Sequence, residues 1–68
     1  MLDVKGLKAE MVRSGYTQDA LAAELGITAR TFSSRLKTGD FGVKEIEIMI
    51  KKLNLKDPFA IFFANKVT

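Results

Sequence analysis

Apolar residues recur every three or four positions along much of this chain, which is the spacing of an amphipathic helix. In the first such segment the apolar stripe consists of Val4, Leu7 and Met11. We expect this helix to begin at Asp3 or Val4 and to run to Ser14. Gly15 should end it, because glycine is the usual residue just past a helix.

Two shorter helices with a tight turn between them are predicted over residues 17–37. Thr17 is a good N-cap for the first, and Gly26 can adopt the positive φ angle with which a helix ends in a sharp turn. Thr28 is the matching N-cap for the second helix, which we expect over Ala29–Lys37.

The next part of the chain predicts a loop and a fourth helix. The loop Thr38–Gly42 has two glycines and an aspartate that favours turns, and we expect its Phe41 to plug the core. The fourth helix is predicted over Val43–Leu53. Its expected apolar face consists of Val43, Ile46, Met49, Ile50 and Leu53.

A last short helix is predicted where Asp57 supplies an N-cap and Pro58 the first helical residue. We expect it to run through Phe63. The predicted fold class is therefore all-α, a compact bundle of about five short helices. A chain of 68 residues without linkers or repeats should form a single domain over residues 1–68.

The composition narrows the function classes. The chain has no histidine and no cysteine, so the commonest general base and the soft metal ligands are missing. No glycine-rich phosphate loop is present either. We therefore expect no enzyme, no catalytic residue, no metal site and no cofactor. No apolar run has the length of a signal peptide or membrane span, which favours a cytoplasmic protein without a membrane partner.

The net charge of +3 is modest, but basic residues concentrate in the third helix, where Thr28–Thr38 contains no acid. On a helical wheel Phe32 and Leu36 point together toward the core. The opposite side carries Arg30, Thr31, Ser34 and Lys37, with Ala29 and Ser33 on its shoulder. Arginine can donate to guanine in a major groove, and lysine can neutralise a phosphate. An ordinary solvated helix face would have a similar composition.

The pattern Q-x-x-x-A-x-x-x-G-I-T-x-x-T-F-S over residues 18–33 resembles the helix-turn-helix of phage repressor and Cro-type regulators, the XRE or lambda-repressor-like family. The resemblance extends over roughly Leu7 to Phe63, including the pattern N-L-x-x-P-x-x-I-F over residues 54–62. It implies that the helix Ala29–Lys37 enters the major groove of DNA. Phe32 is bulkier than the usual Ile or Val at that position, and Ala29 lacks the polar side chain of many relatives.

The resemblance and the wheel together give a set of candidate DNA-binding residues: Gln18, Thr28, Ala29, Arg30, Thr31, Ser33, Ser34, Lys37 and Thr38. Arg30 and Ser34 should point most directly into the groove, and Gln18 should bind a phosphate and brace the helix. Further phosphate contacts are expected from the loop and from backbone amides near Val43 and Lys44.

The resemblance also implies double-stranded DNA with a palindromic operator as the partner, bound by a homodimer that forms at least on DNA. The apolar candidates for the dimer interface are Ile48, Phe59, Phe62 and Phe63. The last three belong to a candidate dimerisation tail over residues 58–68. The alternative is that these aromatic residues only cap a small core. No effector domain is present, so we expect no small-molecule effector.

Two functions from different classes remain. The first is a sequence-specific transcriptional regulator, repressor or Cro-like, in the nucleoid of a bacterium or in a phage-infected host. The second is a protein-interaction module, such as an antirepressor, built on the same scaffold. The second would show no salt-dependent DNA binding and would depend on the surface of residues 59–63.

Overall fold

The protein is described by a computed structural model that covers residues 2–63. Within this range the chain forms five helices and no strand, which confirms the all-α class. The helices are α1 (Val4–Ser14), α2 (Gln18–Leu25), α3 (Ala29–Thr38), α4 (Val43–Leu53) and α5 (Pro58–Phe62). None of these helices has both the length and the apolarity that crossing a membrane requires.

A single cluster of apolar side chains lies between the helices. Its members are Leu7, Met11, Leu21, Ala22, Phe32, Leu36, Phe41, Met49, Leu53, Leu55 and Phe62. Phe41 comes from the loop between α3 and α4, and its ring centroid lies 5.7 Å from that of Phe32. The prediction that Phe41 plugs the core is therefore confirmed.

The first four helices each end at a residue in the left-handed conformation. Gly26 closes α2 with φ of 75°, and Asn54 closes α4 with φ of 51°. In that conformation the backbone N–H of the closing residue turns back to carbonyls in the last helical turn, which leaves fewer of them without a partner. The predicted ends of the first, second and fourth helices are confirmed, and the chain reverses direction within a few residues at each.

Helix α1 is joined to α4 and to α5 by packing and by hydrogen bonds. The side chains of Arg13 and Ser14 both donate to the backbone carbonyl of Leu53, at 2.9 Å and 3.0 Å. The backbone N–H of Asp3 donates to the carbonyl of Ile61 at 2.8 Å. These bonds join α1 to the end of α4 and to α5, and α4 in turn packs on α2.

Three boundary or burial predictions are wrong. Helix α3 includes Thr38 and ends at Gly39, because the glycine, not the threonine, takes the left-handed conformation. Helix α5 ends at Phe62, one residue early. Val43 is 74% exposed and is not part of the apolar core face. A wheel gives the direction around the helix axis, whereas Val43 is the first residue of α4 and projects past the packed part of the helix.

Candidate nucleic-acid interface

Two threonine caps and one turn define where α2 and α3 begin and how the chain connects them. The Thr17 hydroxyl accepts a hydrogen bond from the Ala20 N–H at 3.0 Å, and the Thr28 hydroxyl accepts one from the Thr31 N–H at 3.1 Å. Between the caps, the N–H of Ile27 donates to the carbonyl of Ala22 at 3.0 Å. The local sequence thus fixes where each helix starts, as the threonine and glycine positions predicted.

Helix α2 packs directly on α3, and its inner side includes a small buried residue. Ala22 is 1% exposed, and its neighbour Leu21 is fully buried. Phe32 of α3 is also fully buried, in the same cluster. The large ring of Phe32 packs against the ring of Phe41, and both side chains are buried.

The side of α3 that faces away from the core is open to solvent. Phe32 and Leu36 are buried, as the wheel predicted. The exposed residues on the opposite side, which we call the outer face, are Arg30, Ser33, Ser34 and Lys37. Thr28 and Thr38 flank the outer face and are exposed as well.

Two other candidate residues are less accessible than the outer face. Ala29 and Thr31 are half-buried. The Thr31 hydroxyl accepts a hydrogen bond from the Thr28 hydroxyl at 3.0 Å, so it is engaged in the cap of α3. Both remain candidates for contact with a groove wall, but they do not project as Arg30 does.

The charge of the outer face comes from two side chains. Among the residues that the structure describes, no ion pair includes Arg30 or Lys37. The third basic residue of α3, Arg35, is instead paired with Glu45 of α4. In the sequence alone Arg35 adds to the basic charge of α3, because its partner lies ten residues away on another element.

Glu45 has a second partner at the start of its own helix. Its Oε1 accepts the backbone N–H of Gly42 at 3.0 Å, which is the contact that a glutamate at the third helical position makes in a capping box. This hydrogen bond is the main reason that the pKa of Glu45 lies below its ordinary value of 4.5. Partial burial raises the pKa, and the neighbouring Arg35 guanidinium lowers it again.

The first residues of α4 form the second part of the candidate site. Val43 and Lys44 are exposed, and they line an open cleft together with Arg35 and Asp40. The residues whose backbone amides are predicted to contact phosphate, Val43 and Lys44, therefore lie on the surface. Asp40, which the sequence predicted only as a turn residue, puts a carboxylate into this cleft.

A groove beside α3 brings a residue of α1 into the site. Gln18 at the start of α2 lines it together with Ser33 and Lys37, and Lys8 of α1 lies on the same groove. Lys8 was not among the predicted site residues, since its proximity to Gln18 and Lys37 depends on how α1 packs. Its position off the apolar stripe of α1 was the only signal.

The aromatic residues near the end of the chain divide into two groups. Phe62 is 7% exposed and belongs to the core, so it has little surface left for a partner. Phe59 and Phe63 are 69% and 56% exposed, and their ring centroids are 5.1 Å apart. Ile48 is half-buried. The rest of the candidate dimerisation tail, residues 64–68, lies outside the described residues.

Comparisons of the chain with protein-family models, with curated proteins and with solved structures found no match. Evidence on function therefore comes from the chemistry and geometry of the chain itself.

Proposed function

We propose that this protein is a sequence-specific DNA-binding transcriptional regulator of the repressor or Cro type. In this proposal α2 and α3 are a lambda-repressor-like helix-turn-helix, and α3 is the recognition helix. The observation that carries the proposal is the outer face of α3, where Arg30 and Lys37 project without an ion-pair partner in the described chain. The core side of the same helix is held rigidly by Phe32 and Leu36.

The outer face has the chemistry that a major groove requires. Arg30 can donate two hydrogen bonds to the N7 and O6 atoms of a guanine. Ser33 and Ser34 are small, so the helix backbone can come close to the bases, and their hydroxyls can donate or accept at base edges or phosphates. The half-buried methyl group of Ala29 suits apolar contact with a thymine methyl.

Phosphate contacts would hold the helix in register. Lys37 and Lys8 lie on one groove with Gln18, so two cations and an amide face the same side of the protein. Phosphate contacts position a protein on DNA without reading sequence, whereas contacts to base edges specify the sequence. We therefore assign base recognition to Arg30 and Ser34, and positioning to Gln18, Lys37 and Thr38.

The partner in this proposal is double-stranded DNA with a palindromic operator, bound by two copies of the chain. Helix-turn-helix dimers contact half-sites that are about 34 Å apart. The exposed pair Phe59 and Phe63 is the apolar surface through which the two copies would meet. The proposal places the protein in the cytoplasm of a bacterium or a phage-infected host, and it includes neither catalysis nor a small-molecule effector.

The second candidate function is a protein-interaction module such as an antirepressor. The same exposed pair, Phe59 and Phe63, favours it, because solvent-exposed aromatic side chains are common in protein interfaces. In that case substitutions on the outer face of α3 would leave partner binding unchanged, and duplex DNA would bind weakly or not at all.

Selection of bound sequences from a pool of random duplex DNA tests the proposal. We expect enrichment of a palindrome, with a Kd on the order of 10⁻⁸ to 10⁻¹¹ M that rises steeply with salt. The Arg30→Ala variant should enrich sequences with relaxed preference at one base pair in each half-site. Absence of enrichment together with salt-independent, weak binding would contradict the proposal and favour the interaction module.

A further inference from the structure

We infer that Glu45 is a positioning residue, which keeps the Arg35 guanidinium away from DNA phosphates and so limits the sequence-independent part of DNA affinity. The inference rests on the proposed DNA-binding function. It concerns the pair Arg35 and Glu45, which lies beside the outer face of α3 and is not assigned a contact with the DNA bases.

Contacts on both sides of the loop between α3 and α4 restrain Arg35. Glu45 pairs with the Arg35 guanidinium and accepts the Gly42 N–H at 3.0 Å. The backbone carbonyl of Arg35 accepts the Gly39 N–H at 2.6 Å. One carboxylate therefore joins the last turn of α3 to the first turn of α4, and Arg35 is held by its backbone as well as by its side chain.

The position of Arg35 on α3 explains why this restraint matters. Successive helical residues are about 100° apart, so Arg35 lies that far around the helix from Ser34 at the centre of the outer face. Its side chain is 34% exposed, against 18% for Glu45. A guanidinium released from Glu45 has solvent access on the flank of the recognition helix, where the phosphates of a bound duplex would run.

An extra phosphate contact would carry no sequence information. Each phosphate neutralised by a protein steepens the salt dependence of binding by about 0.9 in the log–log slope, on any sequence. Arg35 paired with Glu45 adds no net charge to this flank. The pair thus removes one sequence-independent contact from the operator and from non-operator DNA alike, and discrimination between them is left to the base contacts of Arg30 and Ser34.

The Glu45→Gln variant tests the inference, because glutamine keeps the side-chain length and an oxygen that can accept the Gly42 N–H. Binding is measured against the selected operator and a scrambled duplex over a range of salt concentrations. For Glu45→Gln we expect a slope steeper by about 0.9 and a higher affinity on both duplexes. An unchanged slope on both duplexes would overturn the inference.

Two further variants separate the release of Arg35 from a general change of charge. Glu47→Gln removes an exposed carboxylate from the same helix and should alter the slope less than Glu45→Gln does. In an Arg35→Met background, Glu45→Gln should leave the slope unchanged. If the double variant shows the same steeper slope as Glu45→Gln alone, the effect is not due to Arg35 and the inference is wrong.

Arg35→Gln alone provides a test that does not depend on the folding of the Glu45 variants. Because Arg35 makes no phosphate contact in the proposed complex, its removal should leave the salt slope of the wild type unchanged. A slope shallower by about 0.9 would show that Arg35 binds phosphate and would overturn the inference while leaving the DNA-binding proposal intact. A wild-type chain that binds no duplex with salt dependence would overturn both proposals.

Discussion

The ring centroids of Phe32 and Phe41 lie 5.7 Å apart, with the rings tilted by 53°, so the loop after α3 packs against the core side of that helix. Phe32 is fully buried and Phe41 is 9% exposed. A tilted aromatic pair at this distance adds about 0.5–1.5 kcal/mol to the effect of burial alone. The orientation of the outer face of α3 therefore depends on a residue that is not in any helix.

Replacing Phe41 with alanine should lower the free energy of unfolding by about 3–5 kcal/mol, because the cavity left beneath α3 cannot close fully. Thermal or chemical denaturation measures the loss. The matched control is Phe59→Ala, which removes the same side chain from a position that is 69% exposed, and it should change the free energy by about 0.5 kcal/mol or less. Equal effects of the two substitutions would show that the loop does not pack as described.

Replacing Ala22 with leucine should destabilise the protein by about 1–3 kcal/mol, since the buried methyl group leaves no room for a larger side chain where α2 packs on α3. Ala23→Leu is the control, because Ala23 is exposed on the same helix and leucine is also a strong helix former. If the two variants melt at the same temperature, the close approach of the helices at Ala22 is refuted.

Arg30→Ala should reduce operator affinity by about 1–3 kcal/mol and relax the preference at one base pair. Lys37→Ala should weaken binding evenly across sequences and reduce the salt slope by about one. Titration of each variant against the operator and against single-base variants of it distinguishes the two patterns. A base-specific loss with Lys37→Ala, or an even loss with Arg30→Ala, would reverse the assigned roles.

Glu45 should contribute to stability in a pH-dependent way. Because its pKa is lower in the folded protein than in the unfolded chain, ionised Glu45 stabilises the fold fully above pH 4.5. That contribution is lost as the pH falls below 4.5 and through the folded-state pKa. The difference in unfolding free energy between wild type and Glu45→Gln should therefore shrink between pH 7 and pH 3. A difference that grows as the pH falls would contradict the role of the Gly42 and Arg35 contacts.

Substituting both Phe59 and Phe63 with serine should abolish cooperative binding of two chains to a palindromic operator, because the proposed dimer contact is apolar and solvent-exposed. Sedimentation of the protein–DNA complex reports the stoichiometry. Val12→Ser is the control, since Val12 is 78% exposed but lies on α1. A two-chain complex that forms with unchanged cooperativity in the double variant would place the contact elsewhere.

The sequence predicted those features that depend on residues close together in the chain. Thr17 and Thr28 cap helices by bonds to residues three positions away, so their roles were visible in the sequence. The pairing of Arg35 with Glu45 was not predictable, because it depends on how the loop brings α4 beside α3. The burial of Phe62 in the core and the exposure of its neighbours Phe59 and Phe63 likewise required the packing of α5.

The left-handed residues that close the first four helices have a consequence for how the chain folds. Each reversal of direction is specified by backbone bonds that span no more than five residues, such as the bond from Leu55 to Ile50 after α4. Few long loops must close before native contacts form, and helical domains with local contacts fold within microseconds to milliseconds. A newly made copy of this chain should therefore present the outer face of α3 almost as soon as α5 is free to pack.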